Sequence, residues 1–125
     1  MSGASSRRKG ARAEQAVVRW LRANGWQAST TRATSGAQQG DDLVTDTGLS
    51  WEVKDHGRME LAAWLDQAGR QAAGRPALVI HKRRGVASPG GWYVTMSGAD
   101  LLRLMGERNG RGNHAGPAEG RDSAR

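Results

Sequence analysis

A chain of 125 residues without a cysteine has room for one compact domain, and it excludes both a disulfide framework and a thiolate zinc site. The formal net charge is +7 and the isoelectric point about 11.2, which points to a polyanionic partner, nucleic acid first. No apolar run approaches a membrane span and no secretory apolar region follows the N-terminus, so a soluble, cytoplasmic protein is expected.

In chain order, residues 1–10 read as a flexible basic arm. Residues 11–24 carry helical periodicity: Glu14, Val17, Val18 and Leu21 form one stripe, and Gly25 stands where a helix should stop. Residues 26–32, rich in Thr and Ser, suggest a first strand, and "ATSGAQQG" a loop. "DLVTD" and "LSWEVK", separated by "TG", read as a β-hairpin. A second helix is expected over 59–73, with Leu61, Trp64, Leu65, Ala68 and Ala72 on one face. The apolar run "RPALVIHK" suits a central strand, "WYVTM" a further one, and Ser97 a cap for a last helix bearing Leu101, Leu104 and Met105. From 106 to 125 almost nothing is apolar, and a disordered tail is expected. The order αβββαββα implies an α/β domain over 11–105: a mixed sheet of about five strands flanked by helices.

The excess positive charge lies in two clusters, Arg7, Arg8, Lys9 and Arg12, and Lys82, Arg83 and Arg84. These are candidates for gripping DNA phosphates, against the alternative of a merely solvated surface. Phe is absent and Tyr93 is the only tyrosine, so no platform for stacking bases is evident.

The strand "SWEVK" contains the chemical anomaly. Alternation sends Trp51 and Val53 to the core and Glu52 and Lys54 to the other face. Asp42 begins the neighbouring strand, within reach of Glu52. Two carboxylates about 4 Å apart repel by roughly 4 kcal/mol at an effective dielectric near 20. A hard divalent cation, Mg²⁺ or Mn²⁺, turns that repulsion into attraction. Lys54 could then orient an attacking water or offset charge on a phosphate. Glu14, on an apolar stripe, is either a carboxylate favoured by the start of its helix or an outer metal ligand. His56, His81 and His114 have no metal-ligand spacing and read as surface or strand-end residues. Taken alone, Glu52 and Lys54 could equally form a weak ion pair on the solvent face of a hairpin.

"RRKGARAEQAVVRWLRANGW", "GDDLV" and "WEVK", in that order and spacing, resemble the PD-(D/E)XK nuclease superfamily, and within it the archaeal-type Holliday junction resolvases and their phage and bacterial relatives. The resemblance spans about residues 7 to 96 and implies a restriction-endonuclease-like core. By position, Glu14 matches the acid of the first helix, Asp42 the strand-two acid with Asp41 as a competitor, and Glu52 and Lys54 the E-x-K motif. The resemblance further implies Mg²⁺ held by Asp42, Glu52 and the Val53 carbonyl, with Glu14 on a metal-bound water. It also implies DNA contacts by Arg32 and Ser35, and by Gln67 where the alternative is a surface residue of the second helix; branched DNA as substrate; and a homodimer, for whose interface Trp92, Val94, Leu101 and Leu104 are candidates, the alternative being that they are core. Two departures are Gln15, where the resolvases often carry a basic residue, and a Gly in place of the usual Pro before the acidic pair.

Overall fold

A computed structural model describes residues 3–31 and 42–115, and for 3, 4 and 108–115 the backbone alone. Arg32, Ser35 and Asp41 lie outside the described residues. The elements in order are α1 (Gly3–Ala23), β1 (Ala28–Thr30), β2 (Leu43–Thr45), β3 (Ser50–Lys54), α2 (Leu61–Gln71), β4 (Ala77–His81), a 3₁₀ turn (Pro89–Gly91), β5 (Tyr93–Thr95) and α3 (Gly98–Ala115). The molecule is mixed α/β.

The five strands form two ladders. β1 pairs antiparallel with β2, and β3-β4-β5 form a second sheet, parallel between β3 and β4 and antiparallel between β4 and β5. The expected hairpin between β2 and β3 is therefore not a ladder. One backbone bond, Asp42 N–H to Trp51 O at 3.1 Å, joins them. The segment between them turns away instead: Gly48 takes a positive φ of 82°, and Thr47 Oγ1 bonds to Thr45 and to the Trp51 indole. These local bonds compete with hairpin pairing.

β3 and β4 are covered on both faces, as a parallel pair requires. On one side Trp51, Val53, Leu78 and Ile80 pack against Ala13, Val17, Val18 and Leu21 of α1. On the other, Ala77 and Val79 pack against Trp64, Ala68 and Ala72. Val79 and Ile80 are fully buried, each contributing about 1.5–3 kcal/mol of transfer free energy. The helical spacing of α1 thus turns the Glu14 stripe inward, as the sequence pattern predicts.

Both terminal helices extend past their expected limits. α1 begins at Gly3, so the basic cluster rides on the helix and not on a separate arm. Arg, Lys and Ala are good helix formers, and one glycine, Gly10, does not interrupt the run. α3 runs to Ala115, beyond the expected end at Met105. Ser97 Oγ caps α3 through Asp100 N–H at 3.0 Å, as expected. Asp100 also accepts the N–H of Ala77 at 3.0 Å, which ties α3 to the start of β4. Trp92 is not at an outer surface: it is buried, and its indole donates to Val86 O at 2.7 Å. Among the described residues no helix is long and apolar enough to cross a membrane.

Candidate active site

The C-terminal ends of β3 and β4 point the same way, and the chain leaving them builds the rims of two adjoining clefts. The first, about 440 Å³, is lined by Lys9, Glu14, Asp42, Glu52, Lys54 and Gln67, among others. Glu14, Asp42, Glu52 and Lys54, separated by up to 40 positions in sequence, therefore open on one space.

Each arrives by a different route. Glu14 is carried inward by the buried stripe of α1 and is only 6 % exposed. It lies about three turns inside α1, too far from the helix start for the dipole to account for it. Asp42 immediately precedes β2, and its Oδ2 accepts the Val53 N–H at 2.8 Å. Glu52, 4 % exposed, lies on the face of β3 beneath α2, level with Val79 of β4. Lys54 is one strand step further on. Its Nζ is 3.2 Å from Glu52 Oε2 and 6.0 Å from the centre of the Trp64 ring. The pair is thus roofed by α2, not exposed on a hairpin face.

Electrostatics mark Asp42. Burial, then the charge of Glu52 and more weakly that of Glu14, push its carboxyl up to about 7; the Val53 N–H and Lys54 act in the opposite direction. Such a carboxylate accepts either a proton or a cation near neutral pH. The donor set of carboxylate oxygens suits a hard divalent ion. As the side chains stand, no three acids or histidines among the described residues enclose a metal by themselves, and Lys54 engages a Glu52 oxygen. A metal here would be held by Asp42 and Glu52 with further donors around them. Glu14 lines the same cleft, and its charge acts on Asp42 more weakly than that of Glu52.

Gln67, on α2, faces the cleft. Lys9 belongs to both clefts, whereas Arg7 and Arg8 are exposed on α1 and line neither. Lys82, Arg83 and Arg84 line the second cleft with Arg12. The sequence pattern gives no role to Asp55 and leaves His56 at the surface, yet these two residues line both clefts. Their signal is position: they directly follow Lys54 at the C-terminal edge of a parallel strand, where sites in α/β sheets collect. His81 ends β4, as expected of a strand-end residue; it is buried, and burial holds its pKa below the ordinary value. His56 and His81 flank the Trp64 ring, with centroids at 5.3 and 5.5 Å.

No family model, curated protein or solved structure matches the chain.

Proposed function

We propose that this protein is a divalent-metal-dependent DNA endonuclease of the PD-(D/E)XK type, acting in the cytoplasm on branched DNA, with the four-way junction as foremost substrate. The observation that supports this reading is the opening of Glu14, Asp42, Glu52 and Lys54 onto one cleft beside a strongly basic one. The single backbone bond between Asp42 and Trp51 supports a five-strand core of the restriction-endonuclease kind, with the two ladders meeting edge to edge at the site.

When bound, Mg²⁺ or Mn²⁺ supplies Lewis acidity to the scissile phosphate and lowers the pKa of water. Asp42 and Glu52 provide the charge that recruits it, with the Val53 carbonyl as a further donor. The Val53 N–H fixes the Asp42 carboxylate in place. Lys54, paired with Glu52 at 3.2 Å and 6.0 Å from the Trp64 ring centre, would orient the nucleophile and offset charge that develops on the phosphate. Glu14 would hold a metal-bound water. The products would carry a 5′-phosphate and a 3′-hydroxyl. Lys9, Arg12, Lys82, Arg83 and Arg84 would hold the flanking backbone. A homodimer would use the apolar row Val94, Leu101, Leu102 and Met105, all at least 45 % exposed.

The test is cleavage of a four-way junction, a flap and a linear duplex by the purified protein with and without Mg²⁺. Junction cutting that requires Mg²⁺ and disappears in Glu52→Ala and Lys54→Ala supports the proposal. Preference for the flap or the linear duplex rejects junction resolution, and cutting unchanged by both substitutions rejects the site.

A further inference from the structure

The second cleft has features that holding a phosphate backbone does not explain. It measures about 690 Å³, adjoins the acidic cleft, and shares Lys9, Asp55, His56 and Gly57 with it. That volume falls within the range of about 300–1,000 Å³ typical of sites that enclose a small ligand. Five cations line it against a single carboxylate, Asp55. Its wall also includes the only tyrosine of the chain, Tyr93, which is 45 % exposed.

Tyr93 is not alone. The Arg83 guanidinium carbon stands 5.6 Å from its ring centre, and the buried His81 ring lies 5.2 Å from it. β4–β5 pairing sets His81 opposite Tyr93, and the turn after β4 brings Arg83 back over the strand end. That turn is closed by Val86 N–H to Arg83 O at 3.1 Å, and Gly85 permits it with a φ of 81°. A ring and a guanidinium are thereby fixed on a rigid strand end, inside a basic cleft. Planar groups of this kind stack on nucleobases. In a blunt duplex both faces of each internal base are already covered by its neighbours. Apart from the outermost pair at a duplex end, only an unpaired base offers a free face to such a platform.

We propose that the second cleft receives an unpaired DNA strand leading into the acidic cleft, with one base stacked on the Tyr93–Arg83 pair and its flanking phosphates held by Lys9, Arg12, Lys82 and Arg84. This deepens the nuclease reading by naming the local structure recognised beside the cut, an unpaired strand, which a four-way junction offers only where pairs at its crossover are opened, and it rests on that reading for the role of the acidic cleft.

The experiment measures binding alone, by fluorescence anisotropy in EDTA, with the full chain and two probes: a duplex with a single-stranded tail and the same duplex blunt-ended. Tighter binding of the tailed duplex than of the blunt one is expected. Tyr93→Ala weakens tailed-duplex binding about 5- to 150-fold, the worth of one stacked base. It leaves the blunt duplex unchanged, and Tyr93→Phe restores the preference. Arg83→Lys, which keeps the charge but not the plane, reduces the preference for the tail. Equal affinity for tailed and blunt duplexes, or equal losses on both in Tyr93→Ala, overturns the proposal. Should the protein cut no DNA with Mg²⁺ and still show the Tyr93-dependent preference, the nuclease reading falls and this inference stands.

Discussion

The carboxylate of Asp42 accepts the backbone N–H of Val53 at 2.8 Å, and the N–H of Asp42 donates to Trp51 O at 3.1 Å. One residue thus makes two bonds to β3, one through its backbone and one through its side chain. The side-chain bond takes the place of a missing ladder bond and aims the carboxylate into the cleft. Asp42→Asn keeps an acceptor for Val53 and removes the charge. It should fold normally and lose divalent-metal binding and cutting by more than the roughly 10–100-fold typical of an outer-shell partner. Calorimetric titration with Mn²⁺ and the cleavage assay check this; a fully active Asp42→Asn would point to Asp41.

Metal-free stability should depend on pH in a specific direction. Asp42 has a folded pKa of about 7, above the ordinary carboxylate value of 3.8. The folded chain therefore binds this proton more tightly than the unfolded chain. The corresponding stability is complete below pH 4 and is lost as pH rises toward 7, with an upper bound of about 4 kcal/mol. Thermal melts in EDTA should show Tm falling between pH 5 and 8 relative to Asp42→Asn, in which this titration is absent. If Asp42 holds a metal as proposed, added Mg²⁺ should remove the difference, the cation taking the proton's place.

The causes of the Asp42 shift can be separated. Burial is the largest and Glu52 the second. Glu52→Gln keeps the volume and removes the charge. NMR titration of the Asp42 side-chain carbon should show a pKa lower than in the wild type and still above the ordinary range. A value unmoved by Glu52→Gln would mean that the two carboxyls do not share the cleft.

Much of this site is legible in the order of residues. The spacing of Glu14, Val17, Val18 and Leu21 requires that all four turn inward on a helix, and all four are buried. Alternation in "SWEVK" separates Trp51 and Val53 from Glu52 and Lys54 for the same kind of reason. What the sequence conceals is pairing. Whether β2 meets β3 in a ladder is decided by competing local bonds at Thr47 and by Gly48, which periodicity does not record. The ring contacts at Tyr93 are hidden for a related cause: they depend on β4–β5 register, which brings His81 and Tyr93 together from 12 positions apart. Gln67 joins the cleft because of the rotation of α2 on the sheet, which is set by Trp64 and Ala68 beneath it.

The end of α2 carries a strained residue. Ala73 adopts a φ of 54°, in the left-handed region, next to Gly74 at 84°. A left-handed alanine costs roughly 1–2 kcal/mol, part of which glycine's greater unfolded-state freedom would offset. Ala73→Gly should therefore raise stability by about 0.5–1 kcal/mol in urea melts, with the slope unchanged. A loss of stability would contradict the backbone conformation at this position.

The basic clusters should divide by position on α1. Lys9 and Arg12 line the clefts, whereas Arg7 and Arg8 stand on the same helix facing solvent elsewhere. If DNA runs through the clefts, removing one phosphate-neutralising cation flattens the plot of log affinity against log salt by about 0.9 for duplex or 0.7 for a single strand. Lys9→Ala and Arg12→Ala should each reduce the slope by about that amount, and Arg7→Ala and Arg8→Ala by clearly less. All four substitutions remove one positive charge, so net charge alone would affect them equally. Anisotropy titrations over a salt series distinguish the two: equal slopes for all four variants would mean that DNA is attracted by the whole surface and does not follow the clefts.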